Sequence, residues 1–523
     1  MRLFTSQPRT RWDNRPPLQR WFEPKERDKW ATRSGLGPPA ADVGLPTLDA
    51  RMQRLYGTDL PRGVLAPRLT PDRPPVNHWM RPHELLRHRY VSGQIILGKF
   101  ADSFIGHLDD RPLVTIAGAR AGKTSTVLEP NLYLYPGSCI VLDPKGELSG
   151  RTAALRRALG HKVYVLAPFG EESASFNPLD ELDAARDTIV DDVAGIAQAI
   201  IVGDEDSRSK HWNDSARMLL QGIILLTLLL PAPDRNLVSV RQLLTLSHPR
   251  LVNAASSSLP PEEDQLDAEF FTANRKRVEV LLGAMAKIEQ RFGGALSSIG
   301  NRFLSTPLTE RGSIFSTAAA QTDFLASMPL QAISLRSDFS LATLRGDRPT
   351  TIYLCLPVGR TASHFRWLRM IVQLACLALE QMGPYPREQP PILFMMEEFA
   401  TLGHMEIMER AAAYFPGFGV KLWAVLQDVT QLQRYYAHSA ETFLGNAGLI
   451  QCFANGDATT LEIIGHRLAK LIEPFELRQV FARERFAQLL LMEGEAPAAC
   501  GRLEHTDVAA IRAEAVRVTR GLQ

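Results

Sequence analysis

Long apolar runs are missing from this chain of 523 residues. The longest, residues 218–230, has 13 residues and contains Gln221. A helix that crosses a bilayer needs about 20, so this run is expected to be a buried core helix. No apolar stretch follows the first basic residues, Arg2 and Arg9, so the start does not read as a secretory signal. Cysteine is scarce: Cys139, Cys355, Cys376, Cys452 and Cys500 are scattered, and none forms a Cys-x-x-Cys pair. Four of them sit in apolar runs, where a thiol behaves as a small hydrophobe. That pattern implies no metal site and fits a reducing cytoplasm.

A strong net charge is also absent, at +2 overall, but the charge is unevenly placed. Residues 1–100 carry 18 Lys and Arg against 9 Asp and Glu, which leaves the other 423 residues at −7. Thirteen of the 35 prolines fall in the same first hundred, so an extended, poorly packed arm is expected over residues 1–90. Trp12, Trp21 and Trp30 recur there at nine-residue intervals. They suit packing on the same protein or on a partner, or a nucleic-acid tail with Arg for phosphate and Trp for stacking. Asp13, Glu23, Glu26 and Asp28 interrupt the basic run and favour the first reading.

Over the whole chain, 45% hydrophobic and 22% charged residues mark an ordinary soluble globular protein, long enough for two to three domains. Short β-branched runs predict strands over 113–117, 138–142 and 162–166, and again over 351–356, 391–396, 421–426 and 449–454. Between the two sets the chain reads as helices, clearest over 218–230 and 277–292. Strands alternating with helices predict a parallel sheet covered on both faces, with the helical block inserted as a separate domain.

The first predicted strand runs into Ala117-Gly118-Ala119-Arg120-Ala121-Gly122-Lys123-Thr124, and Ser125 opens the expected helix. Strand, small-residue turn, Lys-Thr and helix make up a P-loop. Its backbone N–H groups and the positive helix end cradle phosphate, Lys123 reaches the β/γ-phosphates, and Thr124 ligates Mg²⁺. Ala117 stands where the strict motif has glycine, which costs little if φ stays negative there. About 270 residues further on, an apolar strand ends in Glu397-Glu398. In P-loop ATPases such a strand end holds the metal. Glu397 is therefore the expected Mg²⁺ residue and Glu398 the expected catalytic base, against the plainer reading of solvated strand-end charges. Gln427 ends the strand 421–426 and is expected to sense a γ-phosphate or simply to cap the strand. Asp143-Pro144-Lys145-Gly146-Glu147 and Asn455-Gly456-Asp457 stand at other strand ends, as site residues or turns.

Taken in order, these motifs resemble the coupling-protein ATPases of bacterial conjugation and type IV secretion, the TraG/TraD-like branch of the RecA/FtsK-type motors. The P-loop is followed by Glu129-Pro130-Asn131-Leu132, Leu142-Asp143-Pro144-Lys145-Gly146-Glu147 and Phe176-Asn177-Pro178-Leu179. His211-Trp212-Asn213-Asp214-Ser215-Ala216-Arg217, Glu397-Glu398-Phe399-Ala400-Thr401-Leu402-Gly403, the segment 417–432, Leu444-Gly445-Asn446-Ala447 and Pro474-Phe475-Glu476-Leu477 complete the series. The likeness covers roughly residues 90–505. It departs in Glu397, where the family usually has Asp, and in the membrane-spanning helices with which typical members begin.

The resemblance implies an α/β, RecA-like P-loop NTPase with a mostly parallel sheet and an inserted all-α domain. The expected divisions are an arm over 1–90, motor segments over 91–182 and 346–505, the helical insert over 183–345, and a tail over 506–523. It implies an ATP- and Mg²⁺-dependent ATPase in a homo-oligomeric, hexameric ring. Its partners would be single-stranded DNA with a relaxase, or effector proteins, and the subunits of a type IV secretion channel. The expected location is the bacterial cytoplasm, peripheral at the inner membrane, with a separate membrane-anchor protein as a further partner. Arg302, Arg311 and Arg360 are candidates for an arginine that completes a neighbour's site. Two other functions fit the same motifs: an FtsK/HerA-type DNA translocase without a channel, and a receptor whose substrate docking is gated by nucleotide with little hydrolysis.

Overall fold

The computed structural model describes residues 78–203, 207–256, 266–386, 389–437, 439–469 and 471–522. The expectations for the arm up to residue 77, including its three tryptophans, lie outside the described residues. Eleven strands are described. In chain order they are β1 (Ile95–Phe100), β2 (Ser103–His107), β3 (Leu113–Ala117), β4 (Cys139–Leu142), β5 (Lys162–Leu166) and β6 (Thr350–Leu354). β7 (Ile392–Met396), β8 (Val420–Leu426), β9 (Leu449–Phe453), β10 (Ala487–Met492) and β11 (Ala498–Gly501) follow. The chain divides into two compact units, one of residues 1–135 and 425–517, the other of 136–424 and 518–523.

In the first unit the strands run in the order β2-β1-β11-β10-β9-β3. β3 and β9 are parallel and in register from Leu113↔Leu449 to Ala117↔Phe453, while the remaining pairs are antiparallel. Every residue of β3 is buried, as its Leu-Val-Thr-Ile-Ala composition requires of a central strand. A chain of buried side chains crosses this sheet. The Thr115 hydroxyl donates to Gln451 Oε1 at 2.9 Å, and Gln451 Nε2 donates to Gln488 Oε1 at 2.6 Å. Gln488 Nε2 then donates to the Leu97 carbonyl at 2.8 Å. Satisfied polar groups of this kind fix strand register, because a slip would leave each one buried without a partner. Residues 78–90 pack on this unit: Met80 and Leu85 are buried, and the Met80 N–H donates to the Pro497 carbonyl at 2.8 Å.

In the second unit β8-β7-β4-β6-β5 are neighbours in that order, and each pair is parallel. The boundary between the units falls inside β8, after Ala424. Helices such as Glu147–Ala158 and the 24-residue Val358–Gln381 connect the strands. Among the described residues between β5 and β6 there is no strand, and the helices include Ile189–Ile200, Ser207–Leu228 and Leu266–Ala286. The apolar run at 218–230 is accordingly the second half of a helix that ends at Leu228. The helix expected over 277–292 ends at Ala286, and further on Phe292, Gly293 and Gly294 lie in the left-handed region with φ of 56°, 60° and 81°. All five cysteines are buried free thiols. Among the described residues, no helix is long and apolar enough to cross a membrane.

Candidate nucleotide site

In the first unit β3 ends at Ala117, which stays out of the left-handed region, so the missing motif glycine carries no strain. Gly118 is obligatory for a different reason. A Cβ there would lie 2.1 Å from the Ala454 carbonyl oxygen, and that neighbour is backbone that cannot swing away. The turn then passes through the left-handed region twice, at Arg120 (φ 56°) and Gly122 (φ 86°). For a non-glycine such as Arg120 this costs about 1 kcal/mol or more, a strain typical of phosphate-binding turns. Ala119 bridges Gly118 to Arg120, and the Ala121 N–H donates back to the Gly118 carbonyl at 3.3 Å.

The helix begins as one wide π turn over Thr124–Leu128 and continues as an α-helix over Glu129–Leu134. The Thr126 N–H and its hydroxyl both donate to the Gly122 carbonyl at 2.8 Å, and the Ser125 hydroxyl reaches the same oxygen at 3.4 Å. Asn131, wholly buried, ties this helix to β1 through Ile96 N and O, each at 2.8 Å. Lys123 itself is buried, at 8% exposed.

Behind the loop stands Arg502, which the sequence reading missed. Its Nη1 donates to the Ala121 carbonyl and its Nη2 to the Arg483 carbonyl at 2.6 Å. The guanidinium is 4.8 Å from the Phe453 ring centre. Burial, with the nearby Arg483 charge, lowers its pKa to about 10, so it remains a cation at neutral pH. A lone Arg after an apolar strand gives no signal in one sequence. Gln427, also in this unit, is half-buried, and its N–H donates to Gln431 Oε1 at 2.9 Å. Asp457, in the predicted turn 455–457, caps the helix Ala458–Arg467 by accepting from the Thr460 N–H at 2.8 Å.

In the second unit the acidic pair follows β7. Glu397 is 4% exposed. Glu398 is half-buried and held at φ 58°, a left-handed conformation unusual for a long side chain and a second point of stored strain. Leu142 of β4 pairs with Met396 of β7, so Asp143 and Glu397 are consecutive carboxylates across the strand ends. Asp143 is fully buried. Its Oδ2 accepts from the Ser149 N–H at 2.7 Å, while its Oδ1 has no hydrogen-bond partner. Beside it, burial and then the Asp143 charge push the Cys355 thiol up to about 12, which keeps it protonated.

Buried Arg369 fastens the loop after the acids. It donates to the carbonyls of Leu402, of His404 at 2.6 Å, and of Ala199 at 2.8 Å, the last at the end of the helix Ile189–Ile200. Of the three candidate trans arginines, Arg302 and Arg360 are exposed. Arg311 is 7% exposed and donates to the Phe303 carbonyl at 3.3 Å, so it supports its own helices. Among the described residues, no three His, Cys, Asp or Glu side chains converge as a metal site.

A sequence profile of the family described as "Type IV secretory system Conjugative DNA transfer" matches residues 80–503. The conjugal transfer protein TraG of Escherichia coli is 24% identical over 363 residues, which cover 66% of this chain and 54% of that protein. Protein VirD4 of Agrobacterium fabrum is 25% identical over 389 residues, 72% of this chain and 52% of that protein. The match thus spans about half the length of these relatives. A solved structure of the plasmid coupling protein TrwB in complex with ADP and Mg²⁺ superposes with a TM-score of 0.57 at 14% identity. It covers 81% of this chain and 93% of that one, and at this identity it speaks for the fold, α/β of RecA type with a mostly parallel sheet. On the extent of the profile match, this chain belongs to the type IV secretory system conjugative DNA transfer family.

Proposed function

We propose that the chain is the ATP-driven coupling protein of a conjugation or type IV secretion apparatus. It binds ATP·Mg²⁺ and spends the hydrolysis energy on moving single-stranded DNA with its relaxase, or an effector protein, to the channel. The observation that carries this reading is the turn at 118–124, whose glycine at Gly118 is sterically required and whose backbone is left-handed at Arg120 and Gly122, as suits a turn that lines up N–H groups for phosphate. The similar fold of TrwB, seen with ADP and Mg²⁺, supports it.

Nucleotide binding rests on the N–H groups of Ala119 to Ser125 and on Lys123, whose ammonium offsets charge on the β/γ-phosphates. The donor set suits Mg²⁺, which takes a hydroxyl and one or two carboxylates beside phosphate oxygens and water rather than an all-protein cage. Thr124 and Glu397 fill those roles, and the ion supplies charge neutralisation at the transferring phosphoryl group. Glu398 accepts the proton of the attacking water, and Gln427 orients by its amide toward the terminal phosphate. Arg302 or Arg360 supplies the trans cation in a hexameric ring at the cytoplasmic face of the inner membrane. The test is ATP turnover of the purified chain with and without single-stranded DNA. Turnover that DNA accelerates supports a DNA motor, while binding without turnover leaves only a nucleotide-gated receptor.

A further inference from the structure

Phe486 is an aromatic residue in an expensive position. Its backbone is left-handed (φ 53°), where glycine or asparagine would be cheaper, and the residue is 41% exposed. The Arg502 guanidinium lies 5.2 Å from the centre of the Phe486 ring and 4.8 Å from the centre of the buried Phe453 ring. Arg502 thus touches both aromatic rings, and its Nη1 donates to the Ala121 carbonyl in the turn at 118–124. β10 runs antiparallel to β9, so its first residue, Ala487, lies at the carboxyl end of β9 and β3, the edge where that turn opens. Phe486 immediately precedes it, pinned there by the Arg502 N–H, which donates to the Phe486 carbonyl at 2.7 Å.

From this we infer that the outer face of Phe486 is the platform on which the purine base of the bound nucleotide stacks. The inference rests on the nucleotide reading above and adds the base-binding residue to it. An aromatic face one side chain away from the phosphate turn, backed by a cation and open to solvent, matches a flat π-system tethered to the phosphates. Stacking reads the face of a base rather than its edge, so the platform serves adenine and guanine alike. Arg502 is a positioning residue here: it holds the platform to the loop by one bond and one ring contact.

Calorimetric titration of the full chain with ATP, GTP and inorganic triphosphate, each with Mg²⁺, tests the assignment. Phe486→Ala is expected to weaken ATP and GTP about tenfold and to leave triphosphate affinity unchanged. Phe486→Trp should retain the nucleotide affinities, whereas Phe486→Leu, which still covers Arg502 but offers no π-face, should behave like the alanine variant. Unchanged ATP affinity in Phe486→Ala, or restoration by leucine, would overturn the platform. An equal loss for triphosphate and ATP would do so as well, since it would show that Phe486 only shapes the phosphate turn. A parent chain that binds neither ATP nor triphosphate would remove the nucleotide reading itself, and the platform with it.

Discussion

At the scale of single residues the turn at 118–124 shows how one alanine is harmless where the next glycine is not. Ala117 ends a strand at ordinary φ, while Gly118 faces the Ala454 carbonyl with no space for a methyl group. Gly118→Ala is therefore expected to displace the turn at a cost of about 1–3 kcal/mol and to abolish nucleotide binding, measured by calorimetry. Ala117→Gly should change affinity little. Lys123→Ala removes the cation on the β/γ-phosphates and should abolish turnover while leaving the circular-dichroism spectrum intact. Glu398→Gln keeps shape but cannot accept a proton, so ATP should bind and persist. If Glu397 were the base, the trapping phenotype would move to Glu397→Gln. Glu397→Asp, which restores the more usual metal-holding side chain, should remain active.

Among elements, the sheet of the first unit depends on its buried amides. Gln451→Leu fits the volume but removes the acceptor of the Thr115 hydroxyl and the donor to Gln488 Oε1, each lost bond costing about 1–3 kcal/mol. Denaturant melts should show a loss of that order, with Thr115→Val in the same chain recovering part of it. The same sheet marks the limit of what the sequence shows. β3 to β9 stand out because each is a short β-branched or aromatic run closed by polar residues, and their ends led directly to Lys123, Glu397, Glu398 and Gln427. β10, Ala487–Met492, is Ala, Gln, Leu and Met, all strong helix formers, and becomes a strand only because β9 and β11 flank it. β1 is hidden next to an Arg- and Pro-rich stretch whose composition suggests no packing, although residues 78–90 pack as well. Arg502 was invisible for a related reason: its partner Ala121 is 381 residues away in sequence, and the bond is to a backbone carbonyl.

For the whole molecule, the proposed function places the chain at a membrane channel. We propose that association runs through a partner, with residues 1–90 as its contact. In fractionated cells, removing residues 1–77, which leaves the packed segment 78–90 in place, or omitting co-expressed secretion-channel subunits should release the chain to the soluble fraction. Association that survives both salt and alkaline wash in the chain expressed alone would place an anchor in the chain itself.

The central claim is that ATP chemistry at Lys123 is coupled to nucleic-acid movement. The most direct measurement is steady-state phosphate release by the purified chain with and without single-stranded DNA, run beside Lys123→Ala. The account predicts turnover that single-stranded DNA raises several-fold and that Lys123→Ala lacks under both conditions. Equal phosphate release by the parent chain and Lys123→Ala would contradict it.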